Sequence, residues 1–120
     1  MYHKKIVDIP IYYAKFIIHI TDEIEKVNKI TEMNDEEVYA CAIYAEYKKG
    51  ECGYHVFFNP SLSDPMTYGI IAHECMHSVF QLFKRRGIEI IFENQEPTTY
   101  LLEYLVDQVV KFFKEKKIEL

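Results

Sequence analysis

Apolar residues dominate two stretches in the first half of the chain, and polar residues separate the two. Residues 4–20 are rich in Ile, Val, Tyr and Phe, with a break near Ala14, which predicts two strands or an irregular hairpin. Pro10 indicates a strand edge or a bulge within this stretch. A second pair of strands is predicted at 38–47 and 54–59, joined by a polar turn that contains glycine. We expect this second pair to form an antiparallel hairpin.

Helical spacing replaces strand patterning in other parts of the chain. Thr21 can cap a short helix that runs to about residue 30, since apolar side chains recur there every three residues. Ser63 or Asp64 can cap a longer helix over 65–86, whose first residue is a proline that suits this position. Gly87 follows three cationic residues and is typical of a helix end.

The last quarter of the chain predicts one more helix. Residues 88–92 are expected to form an extended connector or a short strand, and Pro97 opens a helix that runs to about residue 116. Strands first and two helices last is an α+β order, with a small antiparallel or mixed sheet packed on both helices. The apolar positions of the last helix are Leu102, Leu105, Val106, Val109 and Phe113.

Composition narrows the class of protein. The 120 residues carry 49% hydrophobic and 28% charged residues, which predicts one globular domain over 1–120. The net charge of -5 and the scattered basic residues disfavour nucleic acid as a partner. No apolar run has the length of a signal peptide or a membrane span. Three cysteines without a C-x-x-C spacing suit free, mostly buried thiols. We therefore expect a cytoplasmic protein without a membrane partner.

The predicted helix over 65–86 contains an H-E-x-x-H motif formed by His73, Glu74 and His77. Four residues advance a helix by about 400° and 6 Å, so the two imidazoles stand one turn apart on one face and can bind one zinc ion. Glu74 is rotated by about 100° and can reach a water on the metal, which is the position of a general base. Alternatively, the motif arose by chance and both histidines are ordinary core or surface residues. A separate stripe is expected to face the core: Ile71, Cys75, Ser78 and Leu82.

Catalytic zinc usually has three protein ligands and a water, so a third ligand is expected. Eighteen residues separate His77 from Glu96. This arrangement resembles that of the gluzincin metallopeptidases, most closely the aminopeptidase N type, over about residues 66–110. The resemblance implies a zincin-like fold, with a sheet edge above the motif helix, and Glu96 as third ligand. Here Glu96 lies between Gln95 and Pro97 where those enzymes usually have Asn-Glu within the helix, so it is expected at the very start of its helix.

Other interpretations of Glu96 remain open. It can instead be a carboxylate that the helix dipole stabilises, and Glu93 or Glu103 can replace it as ligand. The string at 94–101, together with the motif, resembles more closely small uncharacterised proteins of phages and prophages that are described as metallopeptidases.

Several further residues are candidates near such a site. Tyr100 and Glu103 can orient a zinc-bound imidazole through its second nitrogen, and His55 or Tyr100 can donate to a developing oxyanion. Ordinary packing or solvation is the alternative for each of them. His3 and His19 have no ligand spacing, so we expect structural roles.

The sequence thus predicts a zinc-dependent hydrolase that acts on a peptide bond, with Glu74 as general base. Its expected partners are a peptide or protein substrate and, because the chain is short, a second subunit or a larger protein that completes the cleft. A rival hypothesis is a catalytically silent zinc-binding structural or interaction protein, such as a phage accessory factor. A third hypothesis is an interaction domain without zinc.

Overall fold

Four strands form one mixed sheet in the order β1-β2-β4-β3 in the computed structural model, which describes residues 1–120. Strands β1 (Tyr2–Ile9) and β2 (Ala14–Thr21) pair antiparallel, and so do β3 (Ala40–Lys48) and β4 (Glu51–Phe58). Both predicted hairpins are therefore confirmed, and Pro10 lies in the turn directly after the edge strand β1.

The two hairpins join through a parallel pairing of β2 and β4 in the middle of the sheet. The chain leaves β2, passes through helix α1 (Ile24–Thr31), forms β3 at the far edge and returns as β4. The predicted start of α1 was wrong, because Thr21 pairs with Tyr2 as the last residue of β2. The Thr21 hydroxyl oxygen accepts a hydrogen bond from the Glu23 amide at 3.0 Å instead of capping the helix as its N-cap.

Two long helices, α2 (Tyr68–Arg86) and α3 (Gln95–Glu115), follow the sheet. The predicted end of α2 is confirmed, since Gly87 adopts the left-handed conformation at φ 69°. Its predicted start is corrected to Tyr68, because Thr67 has the extended backbone of an N-cap and its side chain accepts the Ile70 amide at 3.2 Å. Ser63 and Asp64 lie outside the helix.

The segment between the two long helices differs from its prediction. Residues 88–91 are not helical and no strand forms there; a short 3-10 turn at Phe92–Asn94 leads into α3. The sheet contains only the four strands above. Helix α3 starts two residues before Pro97, which lies in its first turn.

The main core lies between one face of the sheet and helices α2 and α3. Phe16, Ile18, Val56 and Phe58 point to this face, so their neighbours alternate to the opposite one. That second face carries Ile17, His19, His55 and Phe57, all at most 1% exposed, and α1 packs near it through Val27. The confirmed fold class is α+β.

All three cysteines are free, as predicted, but the expectation that most are buried is wrong: only Cys75 is buried, whereas Cys41 is half-buried and Cys52 is exposed. None of the helices combines the length and the apolar character that crossing a membrane requires.

Candidate metal centre

The two histidines of the H-E-x-x-H motif and the core-facing residues lie on different faces of helix α2. The predicted stripe of Ile71, Cys75, Ser78 and Leu82 is at most 1% exposed, whereas His73 and His77 are exposed to solvent. The residue spacing of an α-helix produces this separation, because positions 73 and 77 lie on the side of the helix away from the stripe. The prediction that the histidines have a face of their own is confirmed.

The two imidazoles converge as a chelating pair would. Their Nε2 atoms are 3.2 Å apart, and the ring centroids are 4.9 Å apart with planes inclined by 76°. Two nitrogens bound at 2.0 to 2.1 Å to one tetrahedral zinc ion would be about 3.3 Å apart. The observed separation therefore matches that of two nitrogens on a shared ion, and it is also the distance of a hydrogen bond between the two rings.

Glu74 is the third member of the group. Its Oε1 atom lies 3.8 Å from His73 Nε2, and the possible ligand atoms of the three residues all lie within 4.8 Å of one another. Glu74 is only 8% exposed, so burial raises the pKa of its carboxyl, while the two neighbouring histidines oppose this shift. A carboxyl group with a raised pKa accepts and releases a proton closer to neutral pH, which suits a general base.

Glu74 also marks the side of α2 that faces strand β3. Its negative charge is a secondary cause of the raised pKa of the Cys41 thiol on β3, which burial chiefly raises to about 12. On the same flank of α2, Gln81 donates to the Ala42 carbonyl oxygen at 3.4 Å and the Arg85 guanidinium lies 3.7 Å from the Tyr44 ring centroid. The motif helix therefore lies beside the edge strand of the sheet.

A groove of about 270 Å³ runs next to the motif between α2 and the start of β3. Apart from His73 and Glu74, the sequence prediction did not include the residues that form its walls. Thr67 was detectable as a helix cap, but nothing in its pattern indicates a place beside the motif. The groove is lined by Tyr39, Thr67, Gly69, Ile70, His73 and Glu74.

The structure does not bring Glu96 into the group of His73, Glu74 and His77. Glu96 is exposed as the second residue of α3, which agrees with its expected place at the helix start. Helix α2 continues from His77 to Arg86, about 14 Å along its axis, before the chain turns towards α3. The role of Glu96 as third ligand stays a prediction, as do those of Glu93 and Glu103, which are also exposed.

Tyr100 and His55 lie elsewhere in the structure. Tyr100 is 66% exposed and lines a groove between α3 and the turn after β1. His55 is buried on the sheet face opposite α2, and both of its ring nitrogens have partners. Neither side chain belongs to the His73, Glu74 and His77 group.

The partners of His55 form a hydrogen-bonded chain that crosses all four strands. His55 Nε2 donates to the Ala45 carbonyl oxygen at 3.2 Å, so its Nδ1 accepts from His19 Nε2 at 2.8 Å. His19 Nδ1 then accepts from the Tyr2 hydroxyl at 2.8 Å. Burial lowers the pKa of His19 to about 3 and also lowers the pKa of His55, so both rings are neutral. The expected structural role of His19 is confirmed, but this pairing was missed, because only the parallel register brings the two rings together.

No protein-family model matches this chain, and no curated protein or solved structure matches it either.

Proposed function

We propose that this chain is a zinc-dependent hydrolase that acts on peptide bonds. The observation that carries the proposal is the 3.2 Å separation of the exposed His73 and His77 Nε2 atoms, with Glu74 beside them. This separation equals that of two nitrogens on one tetrahedral ion within about 0.1 Å. The choice of zinc follows from the ligand types, since imidazole and carboxylate with an open position are typical of catalytic zinc.

Glu74 is the residue that moves protons in this proposal. Zinc held at the site would supply a Lewis acid and lower the pKa of a coordinated water towards 7. Glu74 takes the proton of the attacking water and later transfers it to the leaving amine. Its partial burial supports both steps, because the raised pKa of its carboxyl brings proton uptake and release closer to neutral pH.

A peptide is the favoured substrate because an edge strand runs beside the motif. Strand β3 pairs only with β4, so the peptide groups on its other side are free of sheet hydrogen bonds. An extended peptide can pair with such an edge, and one of its side chains can enter the groove at Tyr39, Thr67 and Ile70. This pairing would place a backbone carbonyl of the substrate near His73 and Glu74. The arrangement supports the zincin-like part of the proposed fold.

The third ligand in this proposal is Glu96, as the resemblance to gluzincins implies. Its carboxylate then has to approach His73 and His77 in the metal-bound protein, which would require a different path of the non-helical residues 88–91 before α3. Glu93 and Glu103 are the alternative third ligands.

A second candidate function is supported by the openness of the site. The His73 side chain is 68% exposed, and the adjacent groove is small at about 270 Å³. An exposed site of this kind also suits a non-catalytic zinc-binding interaction protein, in which the metal stabilises a surface for a protein partner. A substrate cleft completed by a second subunit or a larger partner is the corresponding form of the enzymatic proposal.

Zinc titration of the metal-free protein, followed by calorimetry, tests the site first. We expect wild type and Glu74→Gln to bind one zinc ion per chain and His77→Ala to lose it. His3→Ala removes a histidine from β1 and serves as the control, with binding unchanged. If wild type takes up no zinc at micromolar concentration, both candidate functions are wrong.

Hydrolysis of a fluorogenic peptide library then separates the two functions. The enzymatic proposal expects zinc-dependent cleavage by wild type that Glu74→Gln abolishes while zinc stays bound. Zinc binding without cleavage of any peptide favours the interaction protein instead. For the third ligand, Glu96→Gln is compared with Glu93→Gln and Glu103→Gln, and the variant that weakens zinc binding by about tenfold or more identifies it.

A further inference from the structure

An apolar groove lies on the opposite side of the molecule from β3, between the turn after β1 and the first turns of α3. Its volume is about 390 Å³, within the range of ligand-binding clefts. Residues 9–12 form one wall, and Pro97, Tyr100, Leu101 and Tyr104 form the other. Ile9 and Leu101 are buried at its floor, whereas Tyr100 is 66% exposed at its rim. The groove thus offers aromatic and aliphatic surface to solvent.

The turn that forms one wall adopts an unfavourable backbone. Ile11 has a φ of 73° and Tyr13 a φ of 50°, in the left-handed region that disfavours residues with a Cβ and above all β-branched ones. These two side chains are 86% and 97% exposed, so neither is compensated by burial in the core. Arg86 from the end of α2 donates two hydrogen bonds to the Tyr12 carbonyl oxygen, at 2.9 and 3.3 Å, and holds the turn in place. The turn between β1 and β2 therefore holds Ile11 at the groove in a backbone conformation that is unfavourable for a β-branched residue.

Charge indicates the kind of ligand that fits. The segment 87–110 contains five carboxylates and no Lys, Arg or His. On α3, Glu96 lies four residues before Tyr100 and Glu103 three residues after it. Asp107 lies three residues after Tyr104. Residues at these spacings are neighbours on a helix surface, so all three carboxylates lie next to the groove. All three carboxylates are exposed. The groove is apolar inside and acidic along its α3 rim, and the Arg86 guanidinium lies at the opposite wall beside the Tyr12 carbonyl oxygen.

We propose that this groove binds a peptide segment of another protein that presents apolar side chains flanked by Lys or Arg. The apolar side chains contact Ile11, Tyr100 and Leu101, and the flanking cations face the carboxylates of α3. A second copy of this chain fits less well, because each copy carries a net charge of -5. This site does not depend on zinc or on the hydrolase function.

Fluorescence anisotropy with two short synthetic peptides tests the proposal. Both peptides have the same core of leucine, phenylalanine and proline, and lysines flank the core in one peptide and glutamates in the other. We expect the lysine peptide to bind at least about tenfold more tightly, and the difference to shrink at high salt. Tyr100→Ala should weaken binding of the lysine peptide by about tenfold. Asp107→Asn should weaken it less and reduce the salt dependence.

Two matched glycine variants separate the groove from the fold. Ile11→Gly and Tyr13→Gly each relieve a left-handed residue, so we expect both to keep or raise the melting temperature. Only Ile11 lines the groove, so Ile11→Gly should weaken binding of the lysine peptide and Tyr13→Gly should not. Equal binding of the two peptides, or equal effects of the two variants, would overturn the proposal. So would self-association of the peptide-free protein in light scattering that Ile11→Gly abolishes, since the occupant would then be a second copy.

Discussion

The buried hydrogen bonds that link Tyr2, His19, His55 and the Ala45 carbonyl oxygen predict that the protein loses stability in mild acid. In the folded protein His19 stays neutral down to a pKa of about 3, whereas in the unfolded chain it titrates near its ordinary value of 6.5. Between these two values the unfolded state binds more protons, so the free energy of unfolding falls as the pH falls below 6.5. His55 acts in the same direction, because burial also lowers its pKa. Lys4 faces this region and its charge adds to the effect on both rings.

The size of the effect follows from the two His19 values. At up to 1.36 kcal/mol for each pH unit, lowering the pH from 6.5 to 4.5 removes about 2 kcal/mol, and lowering it to 3 removes about 4 kcal/mol. This is a large part of the 5 to 15 kcal/mol that is typical of a folded domain. We therefore expect acid unfolding above the pH at which the carboxylates titrate.

Urea unfolding at several pH values between 7.5 and 4.5 measures this loss. His19→Gln keeps a polar side chain between Tyr2 and His55 but cannot take up a proton, so its stability should depend less on pH than that of wild type. The difference in slope between the two should be about 1.4 kcal/mol per pH unit below pH 6. His3→Gln is the control, because His3 lies on β1 but takes no part in these hydrogen bonds. We expect the pH dependence of its unfolding free energy to equal that of wild type. Identical slopes for wild type and His19→Gln would refute the reasoning.

Two further predictions concern the elements that position the sites. Thr67→Ala should lower the free energy of unfolding by about 1 kcal/mol through loss of the α2 cap, and Thr67→Ser should restore most of it; equal stability of all three proteins in urea would contradict the assigned cap. Gly53→Ala should cost about 1 to 3 kcal/mol, because the added Cβ would lie 2.4 Å from Ile17 Cδ1 and 3.0 Å from the Lys15 carbonyl oxygen. Ile17→Val removes that Cδ1 atom, so the double variant should be more stable than the sum of the two single losses implies, and strict additivity would argue against the contact.

Local signals predicted the elements of this fold well. Both hairpins follow from apolar runs and turn residues, and the end of α2 follows from Gly87 after three cations. The helix starts were predicted less well, because several residues before α2 are suitable caps and only the backbone decides that Thr67 is used. The parallel pairing of β2 with β4 has no local signal at all, since the pairing joins residues almost forty positions apart.

In the candidate site, too, local features were predictable from the sequence and features that depend on the tertiary structure were not. The spacing within H-E-x-x-H is local, so the convergence of His73 and His77 was predictable from helix geometry alone. The position of Glu96 depends on how far α2 extends beyond His77 and on the path of the connector, neither of which the motif contains. His55 looked like a free histidine on a strand, and its partner His19 is found only once the register of the sheet is known.

The two faces of α2 have different consequences under selection. Residues of the buried stripe are constrained whenever the protein has to fold, whatever its function, whereas the imidazole face contributes nothing to the core. A library of α2 variants that is selected only for folding should therefore randomise positions 73 and 77 early and keep 71, 75 and 82 apolar. Retention of both histidines in descendants of this protein would then indicate selection for function, because selection for folding alone does not preserve them.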